Sequence, residues 1–240
     1  MKFSYLFIDL ISAALPFAFS FHRKIQFHKD FKAFFAGNFI SALCFIVWDV
    51  IFTAKGVWGF NDNFILGVNV YNLPLEEVLF FVCIPFSCVF TYRWLNLIFW
   101  QGWNGNGEKW ISLFLALGCL ATGVYFWRRV YTATTFISFS ILLFLVRFIF
   151  KQAWLGKLYR AWLVLILPFF IVNGILTGTG LPAPVVWYND KETMGIRILS
   201  IPVEDIAYGL ALVMLTVFFY ELFLLFFKAT ERDAVPTVIQ

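Results

Sequence analysis

The chain has 240 residues, of which 62% are hydrophobic and only 13% charged, and its net charge is +4. A soluble domain keeps about 25% of its residues charged, so most of this surface faces lipid, and the length suits one compact bundle. The few positive charges are spread over several loops without forming a basic stripe, which excludes a nucleic-acid partner and leaves membrane orientation as their reading.

A helix needs about 20 apolar residues to cross the hydrocarbon core. Seven runs reach or approach that length, roughly Phe3–Phe21, Phe31–Thr53, Pro74–Leu95, Trp110–Trp127, Val130–Phe150, Leu158–Thr177 and Pro202–Phe227. They are continuously apolar and do not alternate, so they read as helices and not as the strands of a barrel. The expected fold is an all-α polytopic bundle of about seven transmembrane helices in a single membrane domain. The first run lacks a small-residue cleavage motif and reads as a retained span. His22 and His28 belong to a short basic loop and read as solvated. Cys44, Cys83, Cys88 and Cys119 lie within apolar runs, form no C-x-x-C pair and read as packing residues. Gly102–Gly107 is glycine-rich but follows no strand, so it reads as a connector. Asp9, Arg147 and Glu221 fall inside spans and read as structural polar pairs.

With the N-terminus outside, the inner segments hold twelve Lys and Arg residues and the outer ones six, which favours N-out and C-in. Arg128 and Arg129 fit this least well.

The chain also repeats itself, a feature that should be sought early. The first half reads Asp49-x-x-x-Thr53, Val57-Trp58-Gly59-Phe60-Asn61-Asp62, Gly67-Val68 and Pro74-Leu75-Glu76-Glu77. The second reads Asn173-x-x-x-Thr177, Val186-Trp187-Tyr188-Asn189-Asp190, Gly195-Ile196 and Pro202-Val203-Glu204-Asp205. Glycine to proline is seven residues in both, and tryptophan to proline is sixteen and fifteen. This divides the chain into a first repeat (1–103), a linking helix (104–129), a second repeat (130–227) and a polar tail (228–240). One intervening span lets both repeats enter the membrane the same way round, related by an axis along the membrane normal.

Pro74 and Pro202 read as first-turn prolines, which puts Glu76, Glu77, Glu204 and Asp205 in the first turn of the third and seventh spans. Acids there suit the helix dipole, yet they occur twice, and ionisable groups at the membrane interior are functional candidates by default. Adjacent acids point about 100° apart, so at least one of each pair faces the bundle. A buried pair with one carboxyl protonated and another ionised is equipped for general acid–base chemistry. Trp58, Phe60, Trp187 and Tyr188 lie just upstream, either as an interfacial belt or as ring faces that stabilise a cation. Asp49 and Asn173 sit where they could hydrogen-bond the acids. No G-x-S-x-G, H-E-x-x-H or Asp-rich diphosphate motif accompanies them, so no metal and no cofactor is expected.

A parallel-repeat small-solute carrier is one alternative, although carriers place polar contacts near the midplane and these acids lie toward the span ends. A retinal receptor is excluded because Pro202–Phe227 contains no lysine.

The segments Asn72-Leu-Pro-Leu-Glu-Glu-Val-Leu-Phe-Phe81 and Ile201-Pro-Val-Glu-Asp-Ile206 resemble the paired signatures of the integral-membrane lycopene cyclases. That family includes two-subunit bacterial enzymes, fused bacterial versions and the cyclase half of fungal bifunctional phytoene synthases, and this chain resembles the fused form over nearly its whole length. The resemblance implies redox-neutral, acid–base-catalysed cyclisation of the ψ-ends of lycopene, usually to β-rings, as an isomerase or intramolecular lyase of carotenoid biosynthesis. On that basis Glu76 and Glu204 are the leading catalytic candidates, with Glu77 and Asp205 as their partners. Trp58, Phe60, Trp187, Tyr188, Asp49 and Asn173 are the substrate-binding candidates. The implied partners are a hydrophobic carotenoid and membrane lipid, with room for a homo-oligomer or association with other carotenoid enzymes. A bacterial source would place the protein in the cytoplasmic membrane. A related carotenoid cyclase or hydratase with a different product is the other alternative.

Overall fold

The computed structural model describes residues 2–99 and 106–233. Seven α-helices account for most of it: α1 (Ser4–Phe19), α2 (Phe31–Ala54), α3 (Leu75–Ile98), α4 (Asn106–Tyr125), α5 (Val130–Phe144), α6 (Leu155–Leu176) and α7 (Glu204–Asp233). A π-helical turn extends α5 over Leu145–Ile149. Six of the seven segments are long and apolar enough to span a membrane. The exception, α1, has 16 residues, about 24 Å of helix. It nevertheless runs alongside α3 in the same direction: Tyr5 meets Glu77, Ser87 donates to the Ser12 carbonyl, and Phe17 packs on Phe86. The chain is therefore an all-α multi-pass membrane bundle. The glycine-rich stretch lies outside the described residues up to 105, as does the tail beyond 233.

Between helices in lipid there is little hydrophobic driving force, so close packing and polar contacts hold the bundle. The tightest crossing is that of α2 and α7. Gly37 lies directly against the backbone of Phe219 and Tyr220. One turn on, Ser41 and Thr216 share a hydrogen bond of 2.9 Å, and Asn38 donates to the Phe81 carbonyl of α3 at 3.0 Å. Such bonds contribute about 1 kcal/mol each in a membrane. Two of the three intramembrane ions anticipated as polar pairs have partners. Arg147 meets Glu108 at 3.0 Å, and Glu221 accepts from the Tyr92 hydroxyl at 2.7 Å. Asp9 does not fit that expectation: it is fully buried and neither carboxyl oxygen has a hydrogen-bond partner.

The long loops at one end of the bundle are more ordered than their composition suggests. β1 (Trp58–Phe60) pairs antiparallel with β4 (Val186–Tyr188), while two tight hairpins, β2–β3 (Asn69–Val70 with Leu73–Pro74) and β5–β6 (Arg197–Ile198 with Ile201–Pro202), lead into α3 and α7. The β1–β4 ladder is centred on Gly59 opposite Trp187, 128 positions apart, as are Pro74 and Pro202. Its flanks obey the same spacing. Asn61 N–H donates to the Val185 carbonyl at 2.9 Å and Asn189 N–H to the Val57 carbonyl at 2.8 Å. The hairpin turns match as well, with Tyr71 at φ 60° and Leu199 at φ 58°. The true partner of Trp187 is thus Gly59 and not Trp58. A Cβ on Gly59 would lie 2.4 Å from the Trp187 ring, so the indole occupies the space its counterpart leaves empty.

Candidate active site

Pro74, with φ −58° and ψ 149°, is the N-cap of α3, one position earlier than a first-turn residue. It closes the β2–β3 hairpin and delivers Glu76 and Glu77 into the first helical turn. Glu204 and Asp205 open α7 after an equivalent hairpin. All four acids are buried, none more than 8% exposed, and each pair divides the same way.

The first acid of each pair holds a loop. Glu76 accepts from the Leu66 backbone N–H at 2.6 Å. Glu204 accepts from Met194 N–H at 2.7 Å and from the Thr132 hydroxyl at 2.5 Å. Neither lines the cavity between the repeats. Replacing Glu76 or Glu204 by Leu leaves a part-buried N–H without its acceptor, a loss of about 1 kcal/mol. Both variants are expected to melt at lower temperature in detergent than the unmodified protein, and unchanged melting would remove the loop-holding role.

The second acid of each pair faces inward. Glu77 and Asp205 both line one cavity of about 60 Å³. The Tyr5 hydroxyl donates to Glu77 and the Tyr131 hydroxyl to Asp205, each at 2.5 Å. Asp205 takes a second donor, Tyr188, at 3.0 Å. On the other side, Asp49 is in hydrogen-bonding contact with Glu77 and accepts from the Tyr208 hydroxyl at 2.7 Å. Burial, and then the neighbouring Asp205 charge, push the Tyr188 phenol well above its usual 10.0, so it stays a donor.

The walls are aromatic. Trp58 lies 5.1 Å from the Tyr131 ring and 6.1 Å from that of Tyr188, and Tyr131 stacks on Tyr188 at 5.8 Å. Phe80 and Tyr208 also line it. Ring faces at such distances attract a cation, and the carboxyls can give and take a proton beside it.

Among the sequence candidates, Glu77, Asp205, Asp49, Asn173, Trp58 and Tyr188 are therefore brought together at the cavity. Glu76, Glu204, Phe60 and Trp187 are not. Trp187 is 42% exposed because its ring lies over Gly59 on the outer face of the ribbon. Glu76 and Glu204, the leading candidates of the sequence, point away from the cavity, and a loop amide claims each one. The tyrosines that donate to the acids, Tyr5, Tyr131 and Tyr208, were not anticipated. Among the described residues no group of three or more His, Cys, Asp or Glu is placed to hold a metal ion.

Two stretches of the chain, residues 2–95 and 128–223, match the family model described as lycopene cyclase. The chain belongs to the lycopene cyclase family. The two matched stretches contain the two acid-bearing halves of the cavity, and the intervening residues, with the whole of α4, fall outside both. A curated relative in this family is the bifunctional lycopene cyclase/phytoene synthase of Aspergillus oryzae (strain ATCC 42149 / RIB 40), 28% identical over 89 residues. That alignment takes in 35% of this chain and 15% of the fungal protein. No solved structure matches the chain.

Proposed function

We propose that this lycopene cyclase family member closes the acyclic ψ-ends of lycopene into β-rings by acid–base catalysis, without net redox change. The observation that carries this is the enclosure of Glu77 and Asp205, each with its tyrosine donors, in one aromatic cavity. The first half supplies the proton. Two carboxyl groups in hydrogen-bonding contact need a proton between them, and the Asp49–Glu77 pair presents it at the cavity wall. Glu77 delivers that proton to the terminal double bond, which leaves a tertiary cation. The neighbouring double bond attacks the cation, the ring carbon–carbon bond forms, and the positive charge moves into the ring. Asp205, which accepts from two phenolic O–H donors, removes one ring hydrogen. One proton enters and one leaves, so the product is an isomer. Trp58, Tyr131 and Tyr188 face the charge while it exists.

The substrate is a hydrocarbon, and this accords with a cavity whose lining, among the described residues, holds no cationic side chain. The division into repeats at 1–103 and 130–227, and the N-out orientation that puts the acid end outside, belong to the same reading.

The test is conversion of lycopene by the purified protein in liposomes made up in D₂O. Each ring closed should carry one added deuterium by mass spectrometry, with no cofactor supplied. Products that contain oxygen, or none with a ring, would overturn the assignment. Tyr188→Phe removes one of the two donors to Asp205 and should slow ring closure about tenfold, the effect of about 1.4 kcal/mol at the transition state. Unaltered turnover in that variant would show that Asp205 does not need its second donor.

A further inference from the structure

The cavity between the acids is small, about 60 Å³, whereas a carotenoid is a long rod. Something must hold the rest of it. We propose that the cleft bounded by α2, α5 and α7 binds the polyene chain of the substrate whose end lies between Glu77 and Asp205, an inference that rests on the function proposed above.

The cleft has a volume of about 210 Å³ and shares one residue, Tyr208, with the acid cavity. That tyrosine is the wall between them: its hydroxyl donates to Asp49 on the cavity side, while its ring packs edge-on against Phe45 at 5.0 Å on the cleft side. A second aromatic link runs the same way, from Trp48 in the cleft through Phe52 to Trp58 in the cavity, each step stacked at 5.1 Å. From Tyr208 to Leu215 the cleft follows α7 for about 10 Å of helix, away from the acids and into the bilayer. Its rim is formed by small side chains, Cys44 and Ser138, both exposed to the lipid side. Small rim residues leave a lateral opening through which a hydrocarbon can pass without crossing water.

The chemistry of the lining favours an unsaturated hydrocarbon over a polar ligand. Among the described residues, no charged one lines it. Two polar atoms at its upper end, Trp48 Nε1 and Thr135 Oγ1, are buried without a hydrogen-bond partner. A conjugated polyene offers π density to such N–H and O–H groups, which a saturated lipid tail does not.

The test uses Cys44 as a reporter, with Cys83, Cys88 and Cys119 replaced by Ala, in liposomes probed with an apolar thiol reagent. Lycopene should slow Cys44 labelling at least fivefold relative to a saturated C40 alkane, and should do so equally in a Glu77→Gln background that cannot turn it over. Equal labelling with both hydrocarbons would overturn the proposal and indicate that a lipid tail fills the cleft. In a second arm, Ser138→Trp plugs the cleft and Ala14→Trp plugs the separate groove between α1 and α3. Loss of lycopene cyclisation in the first and not the second is expected; full activity in Ser138→Trp would overturn the cleft. If the unmodified protein cyclises nothing yet Cys44 is protected, the proposed reaction fails while the binding site stands.

Discussion

Glu77→Gln and Asp205→Asn should each lower ring formation at least ~100-fold, the lower end of what a positioned acid or base contributes, while Glu76→Gln and Glu204→Gln retain most of it. The amides preserve size and hydrogen-bonding shape but can neither release nor accept the catalytic proton. In Glu76→Gln the side-chain carbonyl still accepts from the Leu66 N–H that the carboxylate holds at 2.6 Å, so the loop stays in place. The measurement is the ratio of cyclic to acyclic pigment in a lycopene-accumulating host, normalised to membrane-inserted protein. The opposite pattern, with Glu76 and Glu204 essential and their neighbours dispensable, would mean that the loop-facing acids do the chemistry and that the cavity assignment is wrong.

Gly37→Leu should abolish assembly of the bundle. A Cβ at that position would lie 2.7 Å from the Tyr220 amide nitrogen and 2.8 Å from the Phe219 carbonyl carbon. These are backbone atoms in the middle of a helix, which cannot rotate aside as a side chain would. Overpacking typically costs 1–3 kcal/mol, and here relief requires α2 and α7 to separate. That would also pull apart the Ser41–Thr216 bond and draw Asp49 away from Tyr208. The expected result is loss of the monodisperse peak in size-exclusion chromatography. Gly118, with nothing within 4 Å of an added Cβ, is the control: Gly118→Leu should behave as the unmodified protein does.

The helices were legible because their signal is long and one-dimensional: runs of apolar residues broken by polar loops. The first-turn placement of the acids was legible too, because proline marks a helix start and because the motif occurs twice. What the motif could not reveal was which acid of each pair faces inward, since both directions from the helix lead to buried surroundings, one made of loop backbone and the other of aromatic rings. Tyr5, Tyr131 and Tyr208 escaped notice for a related reason: a tyrosine near the end of a span ordinarily reads as an interfacial anchor. The three-residue strands are too short to carry an alternation. Matching Trp58 to Trp187 by residue type also shifted the comparison by one position; the paired asparagines, Asn61 and Asn189, give the register the structure has.

The two halves share a scaffold but not its furniture. Where one presents Tyr188 and Tyr208 the other has Phe60 and Phe80, and Asp49 stands opposite Asn173 in the aligned sequences. On the mechanism proposed here, the chamber therefore has a fixed sense, with giving and taking on opposite sides. Lycopene is alike at its two tips, and only one tip can be seated at a time. After the first closure the molecule must back out, swing round and return tail first, in competition with fresh lycopene. A one-ringed carotenoid should accordingly rise early in a time course and decline as the supply of uncyclised material runs down.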